Sequence, residues 1–538
     1  MRILPAADTA LLVELADLQQ TLGLLAALQA EPIAGVTEVV PGARTVLIGF
    51  DPWQVERAAL VAELARRPLT HQGAGQGALI ELPVHYDGDD LAEVAALLGL
   101  TPAELVRRHT AAEWRVAFTG FAPGFAYMSG SDPLFAQVPR RASPRTRLPA
   151  GAVAVAGGFS GVYPKASPGG WQILGQTFTP MWDLARHPPA LLQPGQRVRF
   201  VDAGARPAQA PVAAATPAAT PAVIDAPDTR SPALEIAQPG LQALLQDLGR
   251  PGQAGLGLGT SGTVDRGSLR AANRLVGNPV GSACIEAALG GLELLSRGDT
   301  VVAVTGASGP LTLTTAEGRR WPVPRHAPVA LGEGDRLRLG EPSAGVRSVV
   351  AVRGGFDVAP VLGSCAFDTL AQVGPAPLVA GQRLPVRAAP ASAVVGAPEP
   401  PRADWPKAGD TVTLDVLLGP RTDWFTAEAL ALLSAQEWTV TPESNRIGVR
   451  VQGAQPLSRA IHDELPSEGT ALGAIQVPAS GQPVLFLADH PLTGGYPVIG
   501  SVASWHLDLL GQMPVGACLR FRVVAPFEPI DLPSASTP

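Results

Sequence analysis

The chain has 538 residues, 46% of them hydrophobic and 16% charged, with a formal net charge of −7. That balance describes a globular protein long enough for roughly two to four domains and excludes a disordered one. With no long basic block, it also excludes a partner bound through nucleic-acid phosphates.

In chain order, the first apolar run is LLVEL at Leu11–Leu15. A helical period follows from Asp17 to about Ala30, then strand-like TEVV near Thr37 and TVLIGF from Thr45. A second helical pattern covers Val55 to about Arg66, and ALIELPVHY from Ala78 reads as a strand. Strand, helix, strand, strand, helix, strand is the order of a small ferredoxin-like α/β unit, assigned to residues 1–78. A short amphipathic helix is expected from Leu91. Another starts after Thr101, with Pro102 at its first position. From there to residue 204, short apolar runs broken by Gly and Pro predict a β-barrel or sandwich, so the first barrel is placed at 79–204. Residues 205–231 are Ala-, Pro- and Thr-rich without any period and read as a semi-extended linker. The remainder divides into a β-rich half at 232–405 and a second barrel half at 406–528.

Internal comparison supports two related barrels. SGVYP at Ser160–Pro164 and TGGYP at Thr493–Pro497 each follow a GA[VI]xV strand, at Gly151–Val155 and Gly473–Val477. Both precede a Trp and a closing run, LLQPGQRVRFV or GQMPVGACLRFRV. Similar turn-then-strand phrases occur at Gly332–Leu339 and Ala408–Val416. A shared order of several features marks a repeated module, and two modules face to face would form a cleft for a small-molecule ligand.

Several chemistries are absent from the sequence. There is no phosphate loop, no GxSxG elbow, no HExxH and no Met-Lys-Met biotin attachment sequence. Only two lysines occur, Lys165 and Lys407. GLGTSG at Gly257–Gly262 has the letters of a dinucleotide loop without the strand–helix context, and reads as a Gly-rich loop. Cys284, Cys365 and Cys518 are too scattered for a disulfide framework or a zinc site. With no signal peptide and no apolar membrane span, a cytoplasmic protein is expected.

The polar candidates fall into clusters. TGFAPGFAYMSG, with Gly120, Gly124 and Phe125, is a glycine-bent barrel strand. In PRRASPRTRLPAG, Arg140 and Arg145 fit either a fork onto a carboxylate, phosphate or carboxylated biotin, or a solvated Pro-stiffened loop. Tyr163 and Lys165 stand in the repeated motif, where Lys165 fits an anion contact or plain exposure. Arg250, Ser261 and Asp265 lie in a Gly-rich loop suited to close approach to a ligand. Asn273 and Asn278 belong to a helix and its Asn-Pro stop. The densest cluster holds Arg446, Glu468, Gln476, Asp489, His490, Thr493 and Tyr496. Asp489 and His490 are adjacent and on a strand would face opposite sides, which argues against a direct relay. Asp489, close to Thr493 and Tyr496, is therefore the expected substrate-facing group.

Together these phrases carry a family resemblance. GFAPGFAYMSG, PRxxxPRxxLPAG and SPGGWQILG resemble the B component of bacterial 5-oxoprolinase, also called allophanate hydrolase subunit 1 and similar to an inhibitor of a sporulation histidine kinase. QDLGRPGQAGLG, SGTVDRGSLRAANRLVGNP, SNRIGVRVQG, GAIQVPASGQPV and TGGYP resemble the C component, also called allophanate hydrolase subunit 2. The resemblance implies a B–C fusion of the 5-oxoprolinase/urea amidolyase family. The implied fold is mainly β, with an α/β N-terminal unit and repeated cyclophilin-like β-barrel domains. It implies ATP-dependent opening of 5-oxoproline to glutamate, with ATP (and Mg2+) as cofactor and the separate A component of 5-oxoprolinase as partner; fused components with cleft-forming repeats further suggest a homo-oligomer, at least a dimer. Asp489, Arg446, Tyr496 and Gln476 become candidate catalytic residues. Arg140, Arg145, Tyr163, Lys165, Ser261, Asp265 and Thr493 become candidate substrate- or nucleotide-binding residues. No metal ligands and no covalent biotin are expected on this chain. The sequence departs from the family's pattern in two places: the segment Leu362–Leu384 lacks the usual Ser-Thr and Gly-Gly turns, and His490-Pro491 replaces Arg-Gln. The alternatives are a biotin-dependent carboxyltransferase with a separate carrier, as in urea carboxylase, and a non-catalytic regulator of a sensor histidine kinase.

Overall fold

The computed structural model describes residues 1–70, 77–141, 143, 145–205 and 232–530. Apart from Ala205, the Ala/Pro linker expected at 205–231 lies outside the described residues.

Arg2–Ala7, Ala10–Glu14, Val36–Pro41 and Thr45–Phe50 form an antiparallel sheet in the order first, second, fourth, third. Helices Leu18–Ala30 and Arg57–Arg66 cover one face, packing Leu24, Leu28, Leu60 and Leu64 against Ile3, Leu11, Val13 and Ile48. The first helix begins where the sequence places it, because Asp17 Oδ1 accepts the amide of Gln20 at 2.9 Å. The ferredoxin-like order does not hold. A strand at Arg2–Ala7, disguised by Pro5, opens the sheet, and the run after Arg66 leaves it. Leu79–Val84 pairs in parallel with Arg197–Asp202 instead, which puts Leu82 and Val84 in the core of the first barrel.

The first barrel uses Leu79–Val84, Trp114–Thr119, Ala126–Gly130, Ala152–Ala156, Phe159–Val162, Gln172–Gln176 and Arg197–Asp202. The second uses Thr411–Leu418, Trp438–Val440, Gly448–Gly453, Ala474–Gln476, Val484–Phe486, Val498–Val502 and Cys518–Ala525. Numbered along each barrel, the neighbours run sixth, fourth, fifth, third, second, seventh, first in both. First and last strands are parallel in each, Leu79–Val84 with Arg197–Asp202 and Thr411–Leu418 with Cys518–Ala525. The second barrel closes fully, and the first is bridged by His85 and Gln176.

Local detail repeats as well. Thr101 Oγ1 caps helix Pro102–Ala111, and Thr426 Oγ1 caps helix Ala427–Ala435. Trp114 Nε1 donates to His109 O and Trp438 Nε1 to Leu433 O, each at 3.0 Å across five residues. Glycine is required beside each indole, since a Cβ on Gly130 would meet the Trp114 ring and one on Gly453 the Trp438 ring.

The structure corrects how the repeated phrases align. Thr493–Gly494 pairs with Glu468–Gly469 as Ser167–Gly169 pairs with Arg145–Leu148. The counterpart of TGGYP is thus the PGGW turn, with Tyr496 standing where Trp171 stands, whereas SGVYP lies on and after Phe159–Val162. The phrases at Gly332–Leu339 and Ala408–Val416 are not equivalent either. The former ends in a strand of the middle unit and the latter opens the second barrel.

Between the barrels, a six-stranded and a five-stranded sheet span residues 233–385. They share a core that includes Ile236, Leu245, Ile285, Leu294, Val304 and Val350. Helix Arg266–Val276 packs on the second sheet and ends at Gly277 in the left-handed region, one residue before the expected Asn-Pro stop.

Candidate functional site at the junction of the β units

A cavity of about 440 Å³ opens where the N-terminal sheet and both barrels meet. Ala16, Asp17 and Leu18 bring the N-terminus of the first helix to its wall, with Arg44 beside them. The first barrel contributes Arg140, Phe159 and Trp171, and the second contributes the run Glu464–Ser467. Arg44 is exposed and takes part in no ion pair among the described residues. Its lining carries two guanidinium groups, Arg44 and Arg140, and two carboxylates, Asp17 and Glu464; Asp17 caps the helix N-terminus and Glu464 pairs with Arg140, so Arg44 is the cation left to an anionic ligand, while Trp171 and Phe159 offer flat apolar walls.

Arg140 joins the two barrels. Its Nε pairs with Glu464 Oε1 at 2.6 Å and its Nη2 donates to Ser467 Oγ at 3.0 Å. Gly495 lies directly against it, and a Cβ there would collide with Nη1. The middle of TGGYP is therefore glycine because a guanidinium occupies the side-chain space. Behind Ser467 a row of hydroxyls runs inward. Ser467 Oγ lies 3.5 Å from the Tyr127 hydroxyl, and Tyr127 lies 3.2 Å from Thr493 Oγ1. Thr493 Oγ1 accepts the amide of Phe121 at 3.0 Å. Phe121 has φ 59, so the first barrel turns sharply to present that amide. Around the row pack Phe118, Phe125, Tyr163 and Trp171, with Phe125 and Tyr163 centroids 5.1 Å apart. Burial pushes the Tyr163 phenol well above its ordinary range, so it stays neutral and acts as a wall.

A second polar cluster is closed. Arg446 Nε and Nη2 reach Asp489 at 2.9 and 3.1 Å, Nη2 donates to Gly262 O at 2.6 Å, and Nη1 pairs with Glu286. Asp489 also accepts from Ser261 Oγ at 2.6 Å and from Thr369 N and Oγ1 at 2.9 and 2.7 Å. Its side chain is 0% exposed. In this arrangement every Asp489 oxygen is spent on protein donors, and none faces the cavity. The carboxylate still counts as a charge, because burial raises its pKa but Arg446 outweighs that and holds it below the usual range.

The remaining candidates are dispersed. Arg145 forks onto Asp90, both bonds at 2.7 Å, and Arg141 joins at 2.6 Å. At the equivalent place in the second barrel the signs are reversed, with Arg421 gripping Glu468 and also Glu14. The correspondence is fixed by Gly88 N bonding Leu174 O and Gly419 N bonding Ile499 O, each two residues before the charge. Asp265 caps helix Arg266–Val276 and accepts from Gln512 Nε2 at 2.7 Å. Burial, helped by Asp508, pushes its pKa to about 6. Gln476 donates to Tyr496 O at 3.3 Å, and Arg459 lies 5.8 Å over the Tyr496 ring. Lys165 donates Nζ to Leu370 O across the interface between the first barrel and the middle unit.

Residues 256–523 match the carboxyltransferase domain, subdomain A and B, and residues 1–192 match subdomain C and D. The C component of the 5-oxoprolinase of Escherichia coli is 34% identical over 292 residues, covering 54% of this chain and 90% of that protein. The B component of the 5-oxoprolinase of Haemophilus influenzae is 36% identical over 212 residues, covering 38% of this chain and 99% of that protein.

The chain belongs to the 5-oxoprolinase/urea amidolyase family.

Its two pieces are a B-like half and a C-like half in one polypeptide. The crystal structure of TTHA0988, 34% identical, superposes with a TM-score of 0.82 over 95% of this chain and 99% of that one. The urea amidolyase of Lachancea kluyveri is 30% identical to 56% of this chain, which spans only 17% of that protein. Of the candidate residues, the fold brings Arg140, Tyr163 and Thr493 to the cavity region, and gathers Ser261, Arg446 and Asp489 in the closed cluster. Arg44, Tyr127, Glu464 and Ser467 are not among the sequence candidates. Tyr127 lies inside TGFAPGFAYMSG, and the four meet only because three units pack together.

Proposed function

We propose that this chain is the fused B–C component of an ATP-dependent 5-oxoprolinase, and that the cavity between the N-terminal sheet and the two barrels binds the lactam. The observation that carries the reading is Arg140, a cation of the B-like half held by Glu464 and Ser467 of the C-like half at the edge of the cavity. Such a site is complete only when both halves are present. The carboxylate of 5-oxoproline suits Arg44, with the Arg140–Glu464 pair beside it. Its flat five-membered ring suits Trp171 and Phe159. A lactam amide is inert, and ATP supplies the activation by phosphorylating its oxygen. The work of this chain is to orient the ring, to exclude bulk water and to offer guanidinium and hydroxyl donors to the charge that develops. The nucleotide enters with the separate A component. The name of the matching domains supports a second reading, in which a separate carboxylated biotin carrier hands its carboxyl group to a urea-like acceptor in the same cavity.

The test is ADP and glutamate formation from 5-oxoproline and ATP, with and without the A component. Turnover only in the pair, reduced about 100-fold or more in Arg140→Met, supports the first reading. No turnover by a folded pair, with carboxyl transfer to urea from a carboxybiotin carrier, selects the second.

A further inference from the structure

Four charged side chains line the cavity, the cations Arg44 and Arg140 and the carboxylates Asp17 and Glu464. How they pair decides the charge that a ligand meets. Asp17 is spent locally: its Oδ1 accepts the amide of Gln20, and the carboxylate sits on the positive end of the helix it caps. Glu464 is turned wholly onto Arg140. Its Oε1 pairs with Nε at 2.6 Å, and its Oε2 accepts the Arg140 backbone amide at 3.3 Å. Arg140 does not depend on Glu464 for its place. Its Nη2 donates to Ser467 Oγ at 3.0 Å, and the guanidinium lies against Gly495. The segment that carries Glu464 is fixed independently, because Leu465 is buried and Ser467 O accepts the amide of Ala43 at 2.8 Å. Among the described residues, Arg44 takes part in no ion pair and Arg140 in none besides this one. The Glu464 side chain is 42% exposed, and ion pairs so exposed add little to stability. Its larger effect is on what enters the cavity, which offers one open cation and one cancelled by a carboxylate. A ligand with one anionic end and one neutral polar end matches that arrangement. A second carboxylate would meet Glu464 on its way to Arg140, and like charges brought together repel.

We propose that Glu464 is a specificity-determining residue of the cavity: it cancels Arg140 and so restricts the site to ligands with a single carboxylate, against dicarboxylates. For the identity of the favoured ligand this rests on the lactam reading. On that reading Glu464 separates substrate from product. 5-Oxoproline carries one carboxylate, for Arg44, and a neutral amide, for the Arg140–Glu464 pair. Opening the ring turns that amide into a second carboxylate, which Glu464 disfavours.

The experiment is calorimetric titration of the full chain with 5-oxoproline and, separately, with glutarate, which has the two carboxylates of the ring-opened product without its amine. Glu464→Gln keeps the shape of an exposed side chain and removes only its charge. It should bind glutarate about tenfold or more tighter than the wild type does, with a much smaller change for 5-oxoproline. The gain should vanish in the double variant Glu464→Gln with Arg140→Met, because it acts through the freed guanidinium. No glutarate binding by Glu464→Gln, an affinity equal to that of the wild type, or a gain that survives Arg140→Met overturns the proposal. Failure of the lactam reading has a different signature. In that case 5-oxoproline binds neither protein, while Glu464→Gln still gains glutarate through Arg140 and the charge selection stands.

Discussion

At the scale of single residues, the buried charges divide into those that anchor and those that titrate. Arg446 anchors: its guanidinium satisfies both Asp489 and Glu286, and all three are buried. Removing one member strands the others in the interior, so Arg446→Met should destabilise the protein by about 3–5 kcal/mol, measured by denaturant unfolding. Glu38 titrates. Burial pushes its pKa from 4.5 to about 7 against the opposing help of Thr260 and Arg266. The folded state therefore keeps a proton that the unfolded state releases, so its contribution is fully present below about pH 4.5 and is lost as pH rises to about 7. His109 does the opposite. Burial lowers it from 6.5 to about 3, so its contribution is intact above about pH 6.5 and is lost as pH falls toward 3. Melting curves of wild type and Glu38→Gln between about pH 4.5 and 8 should diverge with rising pH, the variant being the more stable at the alkaline end. Parallel curves would refute the assignment.

At the scale of elements, the two barrels reuse one local solution, a capped helix followed by a Trp strand. Thr101→Ala and Thr426→Ala each remove the cap hydrogen bond and should each cost about 1 kcal/mol, read from thermal unfolding. On the proposed lactam reading, Gly495 is a functional counterpart to these structural positions. It has no positive φ, so alanine suits its backbone, and the atoms nearest to an added Cβ all belong to the Arg140 guanidinium. Gly495→Ala should therefore lower kcat/KM for the lactam about tenfold while shifting the melting temperature little. A large loss of stability with unchanged kcat/KM would remove Arg140 from the site.

At the scale of the molecule, the halves are stitched by polar contacts spread over a wide face: Arg140 to Glu464 and Ser467, Phe121 to Thr493, Thr119 to Ala254, and Arg421 to Glu14. Relatives carry the two halves as separate proteins, the B and C components of 5-oxoprolinase. Residues 1–204 and 232–538 expressed as two chains should thus co-elute as a complex on size exclusion, and Arg140→Met with Arg421→Met should weaken it. Independent elution of the unmutated halves would mean that the covalent link holds the interface.

Much of this is legible in the sequence. The helix beginning after Asp17, the Thr101–Pro102 start and the GA[VI]xV strands of both barrels are local events, set by caps and by apolar alternation, and the structure keeps them. The repeat is legible as well, although its alignment is not. Matching SGVYP to TGGYP compares letters, whereas strand pairing matches TGGYP to the PGGW turn. The destination of Leu79–Val84 depends on which distant partner offers the better burial, and Arg197–Asp202 lies more than a hundred residues away. The site is least legible. Arg446 and Asp489 draw notice as polar residues in a strand-rich text, but their partners Glu286, Ser261 and Thr369 come from elsewhere in the chain, and only packing reveals that they neutralise one another. Arg44, Glu464 and Ser467 draw no notice in the sequence, Tyr127 lies inside a family phrase, and the four come together only where three units meet. Short-range chemistry and the order of motifs are enough to give most of the elements, the repeated barrel and the family. Which charges are spent on the fold and which stay available to a ligand emerges only on folding, because it depends on distances between segments far apart in the chain.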